Sequence, residues 1–199
     1  MLRGKDTPTR GRLSTETAPR YRYRFLPMRY LGDPEHPLHR FKRELRNAAL
    51  NYAERGRPVF PVGSDKRPLV KWKDGATTNQ DQIYDWWQRW PLAMIGMPTG
   101  ARSGLVVLDI DRKNGVDGLA NLLAIGIDPL RLSPVVATTP SGGLHVYFAA
   151  IDEEVRNSAS VMADGVDVRG DGGFIVLPPS RKDPERPGYA WDMCGGGYV

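Results

Sequence analysis

"GLVVLDIDRKNG", Gly104 to Gly115, ends a run of branched apolar side chains with two aspartates at alternate positions. Leu105 to Ile110 is apolar almost without a break, as expected of a strand covered on both faces. Residues two apart in an extended chain point to the same side, so Asp109 and Asp111 are expected to project together while Ile110 enters the opposite layer. Two carboxylates held side by side repel, and they persist chiefly where a divalent cation lies between them. The same Asp-x-Asp pattern also occurs in turns and solvated strand ends, so these three residues alone leave both readings open.

The flanking sequence builds a mixed fold around that strand. Upstream, Leu38, Phe41, Leu45, Ala48, Ala49 and Tyr52 recur at three- and four-residue spacing, which predicts a helix to about Arg55, stopped by Gly56 and Pro58. Val59 to Val62 reads as a strand entering the polar turn "GSDKRPLVKWKDGATT". Thr78, with Asp81 three residues on, is expected to cap a helix whose apolar face is Ile83, Trp87 and Trp90, with Trp86 at its margin. "LAMIGMPTG" suggests a strand over Leu92 to Ile95 and a loop over Gly96 to Ser103. Downstream, a helix is expected over Gly118 to Ala124, then strands near Val135 to Thr138 and Leu144 to Phe148. "GVDVRG" and "GGFIVLPPS" are short extended segments with glycine corners. The 22 Gly and 17 Pro argue for many turns. The class is α+β, a mixed α/β fold.

Charge divides the chain unevenly. The net charge is +5, yet Met1 to Arg46 holds 12 Lys/Arg against 5 Asp/Glu, and the remainder holds 16 against 18. Residues 1–37 read as a basic extension, unperiodic at its start, and residues 38–199 as the folded domain. "APRYRYRFLPMRYLG" alternates arginine with tyrosine, a pattern that can clamp phosphates and stack on bases, or simply be solvated. One cysteine and three histidines exclude a Cys/His zinc module. No signal-peptide core and no membrane-spanning run is present, so a cytoplasmic location without membrane contact is expected.

Further polar residues stand at the ends of the predicted strands. Asp167 in "GVDVRGDGG" follows an apolar residue on an extended segment and is a third oxygen donor. With phosphate oxygens and waters, three such side chains satisfy the octahedral demand of Mg²⁺ or Mn²⁺. Asp171 is the weaker alternative, because a turn role in "RGDGG" explains it. "TPSGGLHVYF" delivers His145 just after a corner formed by Ser141, Gly142 and Gly143. Backbone amides there can approach an anion and the histidine can donate to a phosphate, although a buried histidine bonded to a carboxylate explains the residue equally. No P-loop motif is present. Arg169 lies two residues beyond Asp167, on the same face, and can neutralise a triphosphate. Lys66, Arg67, Lys71 and Lys73 in the polar turn are looser candidates for nucleic-acid contacts.

The order "GLVVLDID", "TPSGGLHVYF", "GVDVRGDGGFIVLPPS", preceded by "PVFPVGSDKRPLVKWKDGATTNQDQIYDWWQRWP" and "IGMPTGARSGL", resembles the bifunctional primase-polymerase domain of the archaeo-eukaryotic primase superfamily. The resemblance covers roughly Arg40 to Trp191. It implies an α/β module beside an RRM-like sheet, with the active site in the cleft between them. It places metal-binding carboxylates on Asp109, Asp111 and Asp167 around a two-ion Mg²⁺ or Mn²⁺ site. Nucleotide phosphate contacts fall on His145, led into by Ser141 to Gly143, and on Arg169. The implied activity is template-dependent DNA primase and DNA polymerase chemistry with nucleoside triphosphates, NTP or dNTP. The implied partners are single-stranded or primed DNA in plasmid, phage or mobile-element replication, with a separate helicase as a possible associate. Two other functions remain open from the residues: a metal-dependent nuclease, and a non-catalytic DNA-binding replication-initiation module.

Overall fold

A computed structural model describes residues 35–192, which all fall in one compact unit. The arginine-tyrosine leader and Cys194 lie outside the described residues. Helix α1, Pro37–Glu54, has proline at its first turn, where a missing N–H costs nothing. Gly56, at φ 75°, turns the chain away at the other end. Strand β1, Phe60–Val62, leads through the polar turn to a single helical turn, α2, Trp72–Gly75. Helix α3 is Gln80–Arg89, and its cap is Asn79 rather than Thr78: the Asn79 side chain accepts from the Gln82 amide at 2.9 Å.

Strands β2, Met94–Pro98, and β3, Leu105–Ile110, follow. Then come the two-residue strands β4, Arg112–Lys113, and β5, Val116–Asp117, and helices α4, Gly118–Ala124, and α5, Pro129–Leu132. The chain closes with β6, Val136–Thr138, β7, Leu144–Ala149, β8, Ser158–Ala159, β9, Val166–Arg169, β10, Phe174–Leu177, and β11, Ala190–Trp191. Among the described residues no helix is long and apolar enough to cross a membrane.

The longer strands form two sheets in which all strand pairs are antiparallel. One is three-stranded, in the order β1-β2-β10. The other is six-stranded, in the order β11-β6-β7-β3-β9-β8, with β3 flanked by β7 and β9. Alternation along β3 decides what each face carries. Leu108 and Ile110 pack with Leu122 of α4, Val146 and Val166. Leu105 and Val107 turn the other way, into a core shared with Phe41 and Leu45 of α1, Ile83 and Trp87 of α3, and Ile95 and Met97 of β2.

The three-stranded sheet is likewise two-sided, because its opposite face packs Phe60, Val62, Met94 and Val176 against Trp72 and Phe174. Phe60 and Trp72 stack at 5.4 Å between ring centres, and Phe174 closes on Trp72 at 5.1 Å. Tryptophans of α3 fill core, as packing predicts: Trp87 is buried and donates to the Ala93 carbonyl at 3.1 Å.

Candidate functional site

The face of β3 that carries Leu105 and Val107 into the core reaches Asp109 at its polar end. Register then sets a row across three strands: Asp109 pairs with His145 on β7 and with Asp167 on β9. Cross-strand partners lie side by side on one face, so the row is fixed by backbone hydrogen bonding. Arg169, two residues beyond Asp167, returns to the same face.

Its guanidinium joins the two carboxylates. Arg169 Nη2 lies 3.1 Å from Asp109 Oδ2 and 2.7 Å from Asp167 Oδ2, and Arg169 Nε donates to Asp109 Oδ2 at 3.3 Å. His145 Nε2 stands 3.5 Å from the other oxygen of Asp109, a long contact with the histidine almost fully buried. His145 Nδ1 is buried with no hydrogen-bond partner among the described residues. Asp167 uses its second oxygen to accept from the Ser160 amide at 3.1 Å.

Burial alone would raise the Asp109 carboxyl, but the His145 hydrogen bond and charge, together with Arg169, outweigh it and hold the pKa at about 2. A carboxyl lowered from the ordinary 3.8 stabilises the fold above that value, and the contribution is lost as pH falls through the folded value. Between pH 4 and pH 2 the wild type is therefore expected to lose about 2 kcal/mol that Asp109→Asn does not lose. Urea unfolding at stepped pH checks this, and parallel stability curves for the two proteins would remove Asp109 as the responsible group.

The expected two-ion Mg²⁺ or Mn²⁺ site on Asp109, Asp111 and Asp167 is not formed. Among the described residues no group of three His, Cys, Asp or Glu side chains is arranged to hold a metal ion. The physical reason is that protein cations already supply the counter-charge. Arg169 fills the space between Asp109 and Asp167, and Lys113 Nζ sits 2.7 Å from Asp111 Oδ1. The residues present do not fit the metal pair, and the repulsion that seemed to require a cation is relieved by arginine and lysine.

A cavity of about 400 Å³ opens beside this row. Asp109, His145 and Arg169 line it, as do Lys66, Trp72 and Tyr189. Asp111, Asp167 and the Ser141 to Gly143 corner are not among its lining. That corner is a closed hairpin turn, in which Gly142, at φ 81°, gives its amide to the Thr139 carbonyl at 2.9 Å. Gly143 lies against the Ile110 carbonyl so closely that a Cβ would collide with it. Of the polar-turn cations only Lys66 reaches the cavity. All four are exposed, and Arg67, Lys71 and Lys73 lie outside its lining.

Asp171 is a turn residue, as its surroundings in sequence allowed. Its carboxylate accepts from the Ala101 amide at 2.9 Å and the Val155 amide at 3.1 Å, and its backbone carbonyl accepts from Asn157. Trp72, Phe174 and Tyr189, which supply aromatic walls to the cavity, were not singled out from sequence. The only cue was an aromatic residue, Trp72, set among the lysines of the polar turn.

The sequence matches the family described as Bifunctional DNA primase/polymerase, N-terminal, over residues 49–193. No curated protein matches it.

Proposed function

This chain belongs to the bifunctional DNA primase/polymerase N-terminal family, and from that premise we propose that it performs template-dependent nucleotidyl transfer in replication, with nucleoside triphosphates bound in the cavity beside Asp109. The observation that carries the reading is the convergence of Asp109, His145 and Arg169 on one cavity from three adjacent strands. A triphosphate entering there meets a guanidinium with five donors and competes with Asp109 and Asp167 for it. His145 offers a second donor. Asp109 orients both groups, so the chain's own part in the transfer is positioning and charge stabilisation around the phosphates.

The fold reading deepens in the same direction. The strand order β9-β3-β7-β6, with α4 and α5 in the crossover from β3 to β6, supports reading the six-stranded sheet as the RRM-like one. We read the three-stranded sheet with α1 and α3 as the α/β module, and the cavity as the cleft between the two. Residues 38–199 then form the working domain. Residues 1–37 add sequence-independent attraction for the phosphates of single-stranded or primed DNA. The plasmid, phage or mobile-element setting and a separate helicase belong to the same proposal.

A second reading is favoured by the Asp109, Arg169 and Asp167 ion pairs, which hold the acidic row in a neutralised state: a non-catalytic DNA-binding replication module. Primer extension separates the two. Purified protein is given labelled nucleoside triphosphates, supplied as their magnesium complexes, on single-stranded DNA with and without an annealed primer. Strand synthesis that falls at least tenfold in Arg169→Ala supports the transferase. Absence of synthesis with DNA binding intact supports the binding module.

A further inference from the structure

Among the cations at the cavity, Lys66 is in an unusual position. Arg169 is committed to two carboxylates, whereas Lys66 has no ion-pair partner among the described residues, and its ammonium rests over the Tyr189 ring at 5.6 Å. Lys66 sits at φ 65°, a left-handed conformation that a lysine rarely adopts. The turn enforces it: the Lys66 amide donates to the Gly63 carbonyl at 2.9 Å, the Gly63 amide donates to the Arg67 carbonyl at 2.8 Å, and the Arg67 amide donates to the Asp65 side chain at 3.0 Å. The turn thereby fixes the backbone from which the Lys66 side chain reaches the cavity.

We infer that Lys66 is a phosphate-binding residue of this cavity, holding the polyphosphate tail of the nucleoside triphosphate. The inference rests on the proposed function and names a ligand contact beyond it. The neighbouring chemistry favours an anion. The ammonium lies on an aromatic face, where cation–π attraction holds it without neutralising it, so its charge stays available to an incoming phosphate. Arg169 and His145 approach the same cavity from the six-stranded sheet, and Lys66 approaches it from the turn after β1. A tail lying between them is held from two parts of the fold. Arg67 on the same turn faces Asp65 at 3.9 Å and does not line the cavity, which makes Lys66 the specific residue.

Lys66→Asn removes the charge and keeps a residue tolerant of the left-handed backbone, while Lys66→Arg keeps the charge. Calorimetric titration of wild type and both variants with nucleoside triphosphate and monophosphate, alongside fluorescence titration with a DNA oligonucleotide, tests the assignment. In Lys66→Asn, triphosphate affinity is expected to fall about tenfold and monophosphate affinity less than about twofold, with DNA binding retained. Lys66→Arg should recover triphosphate binding to within about threefold of wild type. A purely structural role would weaken both nucleotides together and would not be rescued by arginine. Unchanged triphosphate affinity in Lys66→Asn, an equal loss of both nucleotides, or a loss confined to DNA overturns the inference while leaving the proposed function standing. A wild-type protein that binds no triphosphate overturns both.

Discussion

Asp109→Asn is expected to reduce strand synthesis by about 10²- to 10³-fold, while Asp111→Asn reduces it by less than about tenfold. The contrast follows from the two environments. Asp109 accepts from Arg169, faces His145 and borders the cavity, so an amide there puts an NH2 donor against one of these two donors and loosens the hold on Arg169. A displacement of about 1 Å in such a group is enough to cost about 10² in rate. Asp111 is engaged with Lys113 and borders no part of the cavity. Three equivalent metal ligands, as the sequence first suggested, would instead lose activity to a similar extent. Primer extension on both variants, with circular dichroism to confirm folding, decides the matter: equal losses at the two positions would refute the hierarchy drawn from the structure.

Gly96→Val is expected to destabilise the fold by about 3 kcal/mol or more, and Gly96→Ala by about 1–3 kcal/mol. Gly96 is central in β2, paired with Phe60 on one side and Val176 on the other. A Cβ there would stand 2.6 Å from two ring carbons of Phe60 and 2.6 Å from a methyl of Val62, both fully buried. Neither neighbour can retreat, because Phe60 is stacked on Trp72 and packed edge-on to Phe174. Urea unfolding measures the loss. Phe60→Leu in the same chain as Gly96→Ala should recover part of it by withdrawing the ring. A Gly96→Val protein within 1 kcal/mol of wild type would contradict the packing described.

Much of the fold was legible because its strongest signals are periodic. Leu105 to Ile110 and Gly118 to Ala124 fall where apolar runs and turn residues put them, and α1 ends where Gly56 requires. The strand expected at Leu92 begins two residues later, since Leu92 lies in the turn that closes α3 and β2 extends to Pro98. Elements such as α2, α5, β8 and β11 have too few residues to generate a period, and tertiary contacts define them.

Of the residues singled out from sequence, Asp109, His145, Arg169 and Lys66 border the cavity while Asp111, Asp167 and Ser141 to Gly143 do not, and their bonding was not legible at all. Spacing along one strand places Asp167 and Arg169 on one face, but it does not reveal that the arginine folds back onto the carboxylates. That pairing depends on β9 lying beside β3, a long-range fact. Lys66 and Tyr189 are 123 positions apart in sequence, and no local pattern could have joined them.

The two-sidedness of β3 gives the chain an uneven tolerance to insertions and deletions. Loss of one residue between Leu105 and Asp109 would exchange the two faces of the strand, sending the carboxylate toward the layer under α4 and an isoleucine toward the cavity. No repacking of neighbouring side chains repairs an inverted strand. Change in length should therefore be purged from this six-residue segment during divergence, while the exposed stretch around Asp152 to Glu154 can lengthen or shorten with little consequence for the row on the sheet.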